Sequence, residues 1–312
     1  MSNDRDFSII RETVPFFLFR PCVQAHPGIE VATYFVLKFL DIPFLMSDDQ
    51  TCCGFPTFFW NMSPPEVMVS LCARNMLLAK SLACKAVLVV CNACYTAFNH
   101  ALRELSNNED LARRIAEIIG RTPDDVNDLD VDIFHVPEMF YAFKDEILRR
   151  MRFSLEGLRV AVHYGCHYRR ELMFRKFDDH KNPRFVDELL SDLGAEVVDY
   201  SEKNLCCGGS GIQSRVHYEL SENICIRKLE SIHRVGADMI VVWCPACMYR
   251  LDICQRDLYK SGKIDFQIPV LHLSQLIGLV LGLNPRTQLC LHLHAISTQP
   301  LLEKIKEIWV KI

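Results

Sequence analysis

The sequence predicts an α/β protein of two tandem, pseudo-repeated domains, each a small parallel sheet flanked by helices with a cysteine-ligated cluster at the strand ends. Three observations lead there. A five-cysteine pattern occurs twice, short apolar runs end at those cysteines, and amphipathic helical stretches separate the runs. Internal self-similarity at this scale marks a duplicated unit. Strands buried on both faces read as continuous apolar runs rather than alternating ones.

In chain order, "PFFLF" (15–19) reads as a buried strand, followed by the helical stretch "GIEVATYFVLKFL" (28–40) and a second strand in "IPFLMS" (42–47). An amphipathic helix then leads to the strand "AVLVV" (86–90). The second half repeats this order with "LRVAVHY" (158–164), "PRFVDELLSDLG" (183–194), "AEVVDYS" (195–201), another helix, and "MIVVW" (239–243). Asn182-Pro183 places a proline near a helix start, and Gly194 stands where a C-terminal cap would fall. Strand–helix–strand–helix–strand with continuous apolar strands argues a parallel sheet, whose ligands gather at the carboxyl ends of the strands. Segment 105–143 between the halves is polar, charge-rich and partly helical, and reads as a helical excursion plus connection. "IFHVPEMF" and "IPVLHLSQLI" resemble each other as apolar, helix-starting segments that close each half. The first domain, with its excursion, is placed at 1–150 and the second, with a C-terminal helical tail, at 151–312.

The chain has 312 residues, 50% hydrophobic and 24% charged, with a net charge of −4. That is a globular composition with no basic surplus for a phosphate backbone, so nucleic acid is not an expected partner. The start "MSNDRDFSIIRE" lacks the basic-then-apolar order of a secretory signal. The stretch "IPVLHLSQLIGLVLGL" (268–283) is interrupted by His272, Ser274 and Gln275 and is short for a membrane span. A soluble cytoplasmic protein is expected. Fifteen cysteines is a high count for such a protein, and thiols in a reducing compartment bind metal or do redox chemistry more often than they form disulfides.

Cys22, the adjacent Cys52 and Cys53 before Gly54, and Cys91-x-x-Cys94 form one set; Cys166, Cys206 and Cys207 before Gly208, and Cys244-x-x-Cys247 form the other. The gap between the pair and the Cys-x-x-Cys is 37 residues in one half and 36 in the other. "RNMLLAKSLACKAVLVVCNAC" (74–94) parallels "RKLESIHRVGADMIVVWCPAC" (227–247), with Arg74 and Arg227 leading. A structural zinc takes four ligands, so five thiolates leave one over. Adjacent cysteines also send their sulfurs apart, which suits a polynuclear cluster better than one small ion. Glycine after the pair lets the backbone approach and donate N–H groups to sulfur. "CCGGSGIQS" (206–214) has three glycines for this, and "CCGFPTFFW" (52–60) has one. A redox dithiol would leave the other six cysteines unexplained, and two zinc sites remain an alternative.

The doubled pattern resembles the CCG-domain, cysteine-rich iron–sulfur family, and within it the B-type subunits of heterodisulfide reductase. The resemblance spans roughly residues 15–285 and includes "HPGIEVAT", "HYGCH" (163–167), "FDDHKNPRFVDELLSDLGAEVVDY" (177–200), "CPACMYRLDICQ" and "VLHLSQLIGLVLGL". It implies two non-cubane [4Fe-4S] clusters, one on Cys22, Cys52, Cys53, Cys91 and Cys94, the other on Cys166, Cys206, Cys207, Cys244 and Cys247. It also implies a shared pocket in which a small-molecule disulfide, that of coenzyme M and coenzyme B, is reduced to two thiols. The implied partners within a heterodisulfide reductase are its ferredoxin-like iron–sulfur protein, the C-type subunit, and its flavin-containing protein, the A-type subunit. The chain departs from the family in "FRPCVQAHPG", where a Gly ordinarily precedes the cysteine, and in "CCGFPTFFW"; both surround the first cluster and bear on substrate identity.

His163 and His167 flank Cys166 and are candidate proton donors or partners of the cluster, with a satisfied core histidine as the plain alternative. Cys72 and Cys225 share a repeat offset inside a helix and read as small core residues, and Cys254 and Cys290 as structural. "FPTFFW" reads as core or pocket wall. No Gly-x-Gly-x-x-Gly and no C-x-x-C-x-x-C run occur, so electrons are expected from another polypeptide. The tail "LLEKIKEIWVKI" (301–312) could dock on a partner or pack on its own domain. The rival readings are a CCG-type electron-transfer subunit of a lactate-, glycolate- or succinate-oxidising complex, a reductase of another disulfide, and a zinc-stabilised scaffold.

Overall fold

A computed structural model describes residues 7–22, 28–175, 177–209, 214 and 216–310. Two four-stranded parallel sheets of identical topology form its frame. In the first, β1 (Phe16–Phe19), β2 (Phe44–Leu45), β3 (Ala86–Val89) and β4 (Asp132–His135) lie in the order β2-β1-β3-β4. In the second, β5 (Arg159–Val162), β6 (Glu196–Val197), β7 (Met239–Val242) and β8 (Val270–His272) lie in the order β6-β5-β7-β8. Phe16 pairs with Ala86 and Val160 with Met239, so the two registers superpose the repeat seen in the sequence. Helices cover the strands, and Phe16, Phe17 and Phe19 are at most 1% exposed. Burial of each such side chain stabilises by about 2 kcal/mol.

The three strands expected in each half are present, and a fourth joins each sheet. β4 and β8 lie in the segments read as apolar helix starts. They are only four and three residues long and run straight into the helices Val136–Ala142 and Leu273–Val280. A run that short never shows a period of its own before the helix begins. The excursion before β4 is helical over Glu109–Ile118 and Pro123–Asn127. Asn108 caps the first through Leu111 N at 3.0 Å, and Thr122 with Asp125 closes a capping box on the second. The helix Phe185–Asp192 ends before Gly194, whose φ of 98° is the left-handed cap conformation expected there.

The tail helix Gln299–Val310 packs on its own chain: Trp309 stacks on Phe153 at 3.7 Å, and its indole N–H donates to Ser154 O at 2.8 Å. Among the described residues no helix is long and apolar enough to cross a membrane. The two halves grip each other reciprocally. The helix Leu273–Val280 packs on Gly28–Phe39, where Thr33 Oγ1 donates to Ser274 Oγ at 2.8 Å. The helix Cys166–Arg175 packs on Asn92–Asn107, where Arg103 holds the buried Glu171 at 2.8 Å.

Candidate functional site

Each parallel sheet ends its two central strands, β1 with β3 and β5 with β7, at the cysteines. Cys91 and Cys244 follow β3 and β7 and are the N-cap residues of the helices Asn92–Asn107 and Pro245–Lys260. Their placement puts each sulfur at a helix N-terminus, where free N–H groups favour negative charge. The amides of Cys94 and Cys247, in the first turns of those helices, face the sulfurs of Cys91 and Cys244 and favour their charged forms. The adjacent pairs are turned by glycine: Gly54 has φ 75° and its N–H reaches Cys52 Sγ at 3.3 Å. Gly208 and Gly209, at φ 100° and 77°, donate to Cys206 and Cys207 in the same way. Gly211 and residues 23–27, which follow Cys22, lie outside the described residues.

The ten predicted cysteines are all brought together, and as free thiols. Cys22 contacts Cys52, Cys52 contacts Cys53, Cys53 contacts Cys94, and Cys94 contacts Cys91. The second set repeats this from Cys166 through Cys206, Cys207 and Cys247 to Cys244. The sets then meet, because the Cys91 and Cys244 sulfurs are in hydrogen-bond contact and the Asn92 amide donates to Cys244. Asn92 also bridges the halves through its side chain, donating to Tyr164 O at 3.0 Å. Contact with Cys22, then with Cys53, and the Gly54 amide pull the Cys52 thiol down to about 2. Contact with Cys166, then with Cys207, lowers Cys206 likewise. Their donors Cys22 and Cys166 are pushed up in turn, chiefly by that same contact.

His163 is buried, and neither of its ring nitrogens has a hydrogen-bond partner. Its ring lies with Cys207 and Cys247 in a group whose ligand atoms are all within 4.8 Å of one another. Burial, and secondarily the charge of Lys228, hold its imidazole down to about 3. His167 instead reaches across to the other half, edge-on to Phe55 at 4.9 Å and Phe59 at 5.2 Å. Beside this contact opens a cleft of about 410 Å³, lined by Phe59, Trp60 and Asn61 from the first half and Cys206, Gly208 and Leu220 from the second. "FPTFFW" therefore divides its work: Phe55 is buried, and Phe59 and Trp60 form cleft wall.

Cys72 and Cys225 are fully buried and donate to Cys53 O at 3.3 Å and Arg250 O at 3.7 Å, as small core residues do. Cys254 accepts from Arg250 at 3.2 Å, and Cys290 lies away from both sets beside Gly28. Sequence reasoning passed over one pair. His135 and His272 end β4 and β8, one in each half, and His135 lies in the field of Cys244 and of His272. The signal was present in the two matched segments, which each carry a histidine and, three residues on, Glu138 or Gln275. Those side chains accept the His135 and His272 amides at 3.0 Å and 2.9 Å.

The family described as CCG, cysteine-rich domain, matches residues 16–99 and 160–252, more than half of the chain. A relative from Methanosarcina mazei, the B-type subunit of ferredoxin:CoB-CoM heterodisulfide reductase, is 33% identical over 294 residues, covering 93% of this chain and 97% of that protein. The chain belongs to the CCG family, among the B-type subunits of heterodisulfide reductase. A protein of Archaeoglobus profundus, described as like the same type of heterodisulfide reductase subunit, is 34% identical over 269 residues, 83% of this chain and 87% of its own. The "8-methylmenaquinol:fumarate reductase membrane anchor subunit" of Wolinella succinogenes is 29% identical over 294 residues, 92% of this chain and 98% of its own. A crystal structure of a hypothetical protein from Helicobacter pylori shares the fold, with a TM-score of 0.71 at 14% identity over 94% of this chain and 57% of that one.

Membership of this CCG family makes the chain an iron–sulfur oxidoreductase component of a multi-subunit assembly. The residues fit such a group. Sulfurs converge from separate strand ends, backbone N–H groups point at five of them from the glycine turns and helix starts, and His163 carries unpartnered ring nitrogens beside Cys207 and Cys247.

Proposed function

We propose that the chain is the disulfide-reducing subunit of a heterodisulfide reductase and holds two non-cubane [4Fe-4S] clusters. The first would sit on Cys22, Cys52, Cys53, Cys91 and Cys94, the second on Cys166, Cys206, Cys207, Cys244 and Cys247. The observation that carries this reading is the unbroken run of ten sulfurs, joined between halves at Cys91 and Cys244, beside a cleft that both halves line. When bound, such clusters supply single electrons, and splitting one disulfide into two thiols consumes two. The chain's own residues do the rest. Phe59 and Trp60 offer an apolar wall to the organic arms of a disulfide and keep water from one side of it. His167, held edge-on against Phe55 and the cleft residue Phe59, supplies a proton from behind that wall as a thiolate leaves. His163, enclosed beside Cys207 and Cys247 and away from the cleft lining, would turn a ring N–H toward the cluster held there. Electrons come from the ferredoxin-like iron–sulfur C-type subunit, which the flavin-containing A-type subunit feeds, and the substrate is the disulfide of coenzyme M and coenzyme B.

The kinship with a quinol:fumarate reductase component favours one other reading, a CCG subunit that relays electrons and cleaves nothing. Adding the coenzyme M–coenzyme B disulfide to the anaerobic, iron-loaded protein separates them. A new paramagnetic cluster state supports the reductase reading, and an unchanged spectrum at full iron load supports the relay.

A further inference from the structure

The two cysteine sets are alike, but what surrounds them is not. Aligning the halves through Cys91 with Cys244 puts Lys228 where the first half has Asn75, and Arg250 where it has Ala97. The strand registers likewise put His163 where the first half has Phe19.

Lys228 is fully buried. Its ammonium donates to Glu202 O at 2.6 Å and Lys203 O at 3.4 Å, carbonyls of the loop that delivers Cys206 and Cys207. In the first half the neutral Asn75 does this tying, donating to Leu71 O at 2.9 Å, Thr51 O at 3.2 Å and Cys52 O at 3.4 Å. A neutral amide therefore suffices to hold such a loop, and the charge on Lys228 needs another reason. Arg250 is 4% exposed. Its Nε has no hydrogen-bond partner and lies 3.1 Å from where a Cβ on Gly208 would stand, against the backbone next to Cys207.

Among the described residues neither cation forms an ion pair with a carboxylate. The nearby Glu202 is taken by Arg227 at 2.6 Å, and Glu222 by Lys263 and by Tyr218 Oη at 2.9 Å. Two buried cations without a carboxylate cost several kcal/mol unless an anion lies close by. Lys228 faces Cys207, Cys247 and Cys206, sulfurs that carry negative charge once they act as cluster ligands. Arg250 lies first by Cys225 and Cys254, to whose sulfur it donates at 3.2 Å, and then by Cys207, the sulfur of the second set that both cations share. Burial draws the Lys228 ammonium down to about 8, and the thiolates of Cys207, Cys247 and Cys206 oppose that.

We propose that Lys228 and Arg250 set the two clusters at different reduction potentials, so that the cluster on Cys166, Cys206, Cys207, Cys244 and Cys247 is reduced before its twin. Reduction adds one negative charge to a cluster, and a fixed buried cation stabilises that charge in a poorly screening interior. The inference rests on the two-cluster reading above and adds to it an order of filling. The two residues act as positioning residues through the field, not by touching substrate.

The test is an anaerobic redox titration of the iron-loaded protein followed by electron paramagnetic resonance, with iron counted per chain. Lys228→Gln keeps a donor for Glu202 O and removes the charge. The higher-potential transition should fall so that, at fixed poise, its reduced-to-oxidised ratio drops about tenfold, which is about 59 mV for one electron. The lower transition should stay in place, and Lys228→Arg should restore the first. Should Lys228→Gln carry less iron, Arg250→Gln is read in the same way, with a fall of the higher transition again expected. Unshifted transitions at full iron load, a shift of the lower one, or equal shifts of both would overturn the proposal while leaving the two clusters standing. A wild-type protein without iron would instead overturn the reading beneath it.

Discussion

Gly208→Ala is the sharpest perturbation that the cysteine turns allow. Gly208 has φ +100°, and an added Cβ would stand 2.4 Å from Ser221 O and 3.3 Å from Cys225 Cβ. The left-handed backbone costs an L-residue roughly 1–2 kcal/mol. The clash adds about 1–3 kcal/mol of overpacking, because Ser221 O belongs to the helix Tyr218–Arg234 and cannot swing aside. A loss of roughly 2–5 kcal/mol follows, taken at the amide that donates to Cys206. Gly120→Ala is the internal control: its φ is +67°, but nothing lies within 4 Å of the added atom, so only the backbone part remains. Anaerobic urea unfolding gives the stability difference, and iron per chain gives the effect on the site. Gly208→Ala should lose more stability than Gly120→Ala and bind about half the iron, with the first cluster kept. Equal destabilisation and equal iron in the two variants would refute the claim that close approach, and not the left-handed turn alone, fixes glycine there.

Three further outcomes are expected. Asn92→Ala removes the donor to Tyr164 O and leaves a buried carbonyl unpaired at the junction of the halves, so thermal unfolding should show a loss of about 1–3 kcal/mol. Asp252, whose carboxylate accepts the Ala295 and Ile296 amides at 2.8 Å and 2.9 Å, is pushed up by burial from 3.8 to about 6. A carboxyl raised in the folded state binds more protons there than when unfolded, so its contribution falls by about 3 kcal/mol as pH rises from roughly 4 to 6; the difference between wild type and Asp252→Asn in urea midpoints should trace that slope. Trp309→Ala removes the stack on Phe153 and the bond to Ser154 O, and should lower stability of the isolated chain by about 2 kcal/mol; no change would mean that the tail does not rest on its own domain.

Much of this protein was legible because its chemistry is local in sequence. Cysteine spacing, the glycine after each pair and the apolar run before each Cys-x-x-Cys are all short-range signals, and each returns as a strand end, a positive φ or a helix N-cap. β4 and β8 were hidden because four or three residues that pass directly into a helix show no alternation. The contact of Cys91 with Cys244 and the nearness of His135 to Cys244 depend on how the halves dock, which no spacing within one half encodes. The cleft was half visible: "FPTFFW" was a candidate wall, but only the fold brings Phe59 and Trp60 against Cys206 and Leu220. Lys228 and Arg250 were present in the aligned repeats as mismatches with Asn75 and Ala97, and their burial gives those mismatches meaning.

Metal and sulfide analysis of the anaerobically purified chain tests the two-cluster claim most directly. About eight irons are expected, with a matching content of acid-labile sulfide and no zinc, four irons for each set of five cysteines. Two zincs without iron would contradict it, because four thiolates of each set would then close a tetrahedral site and leave no redox centre beside the cleft.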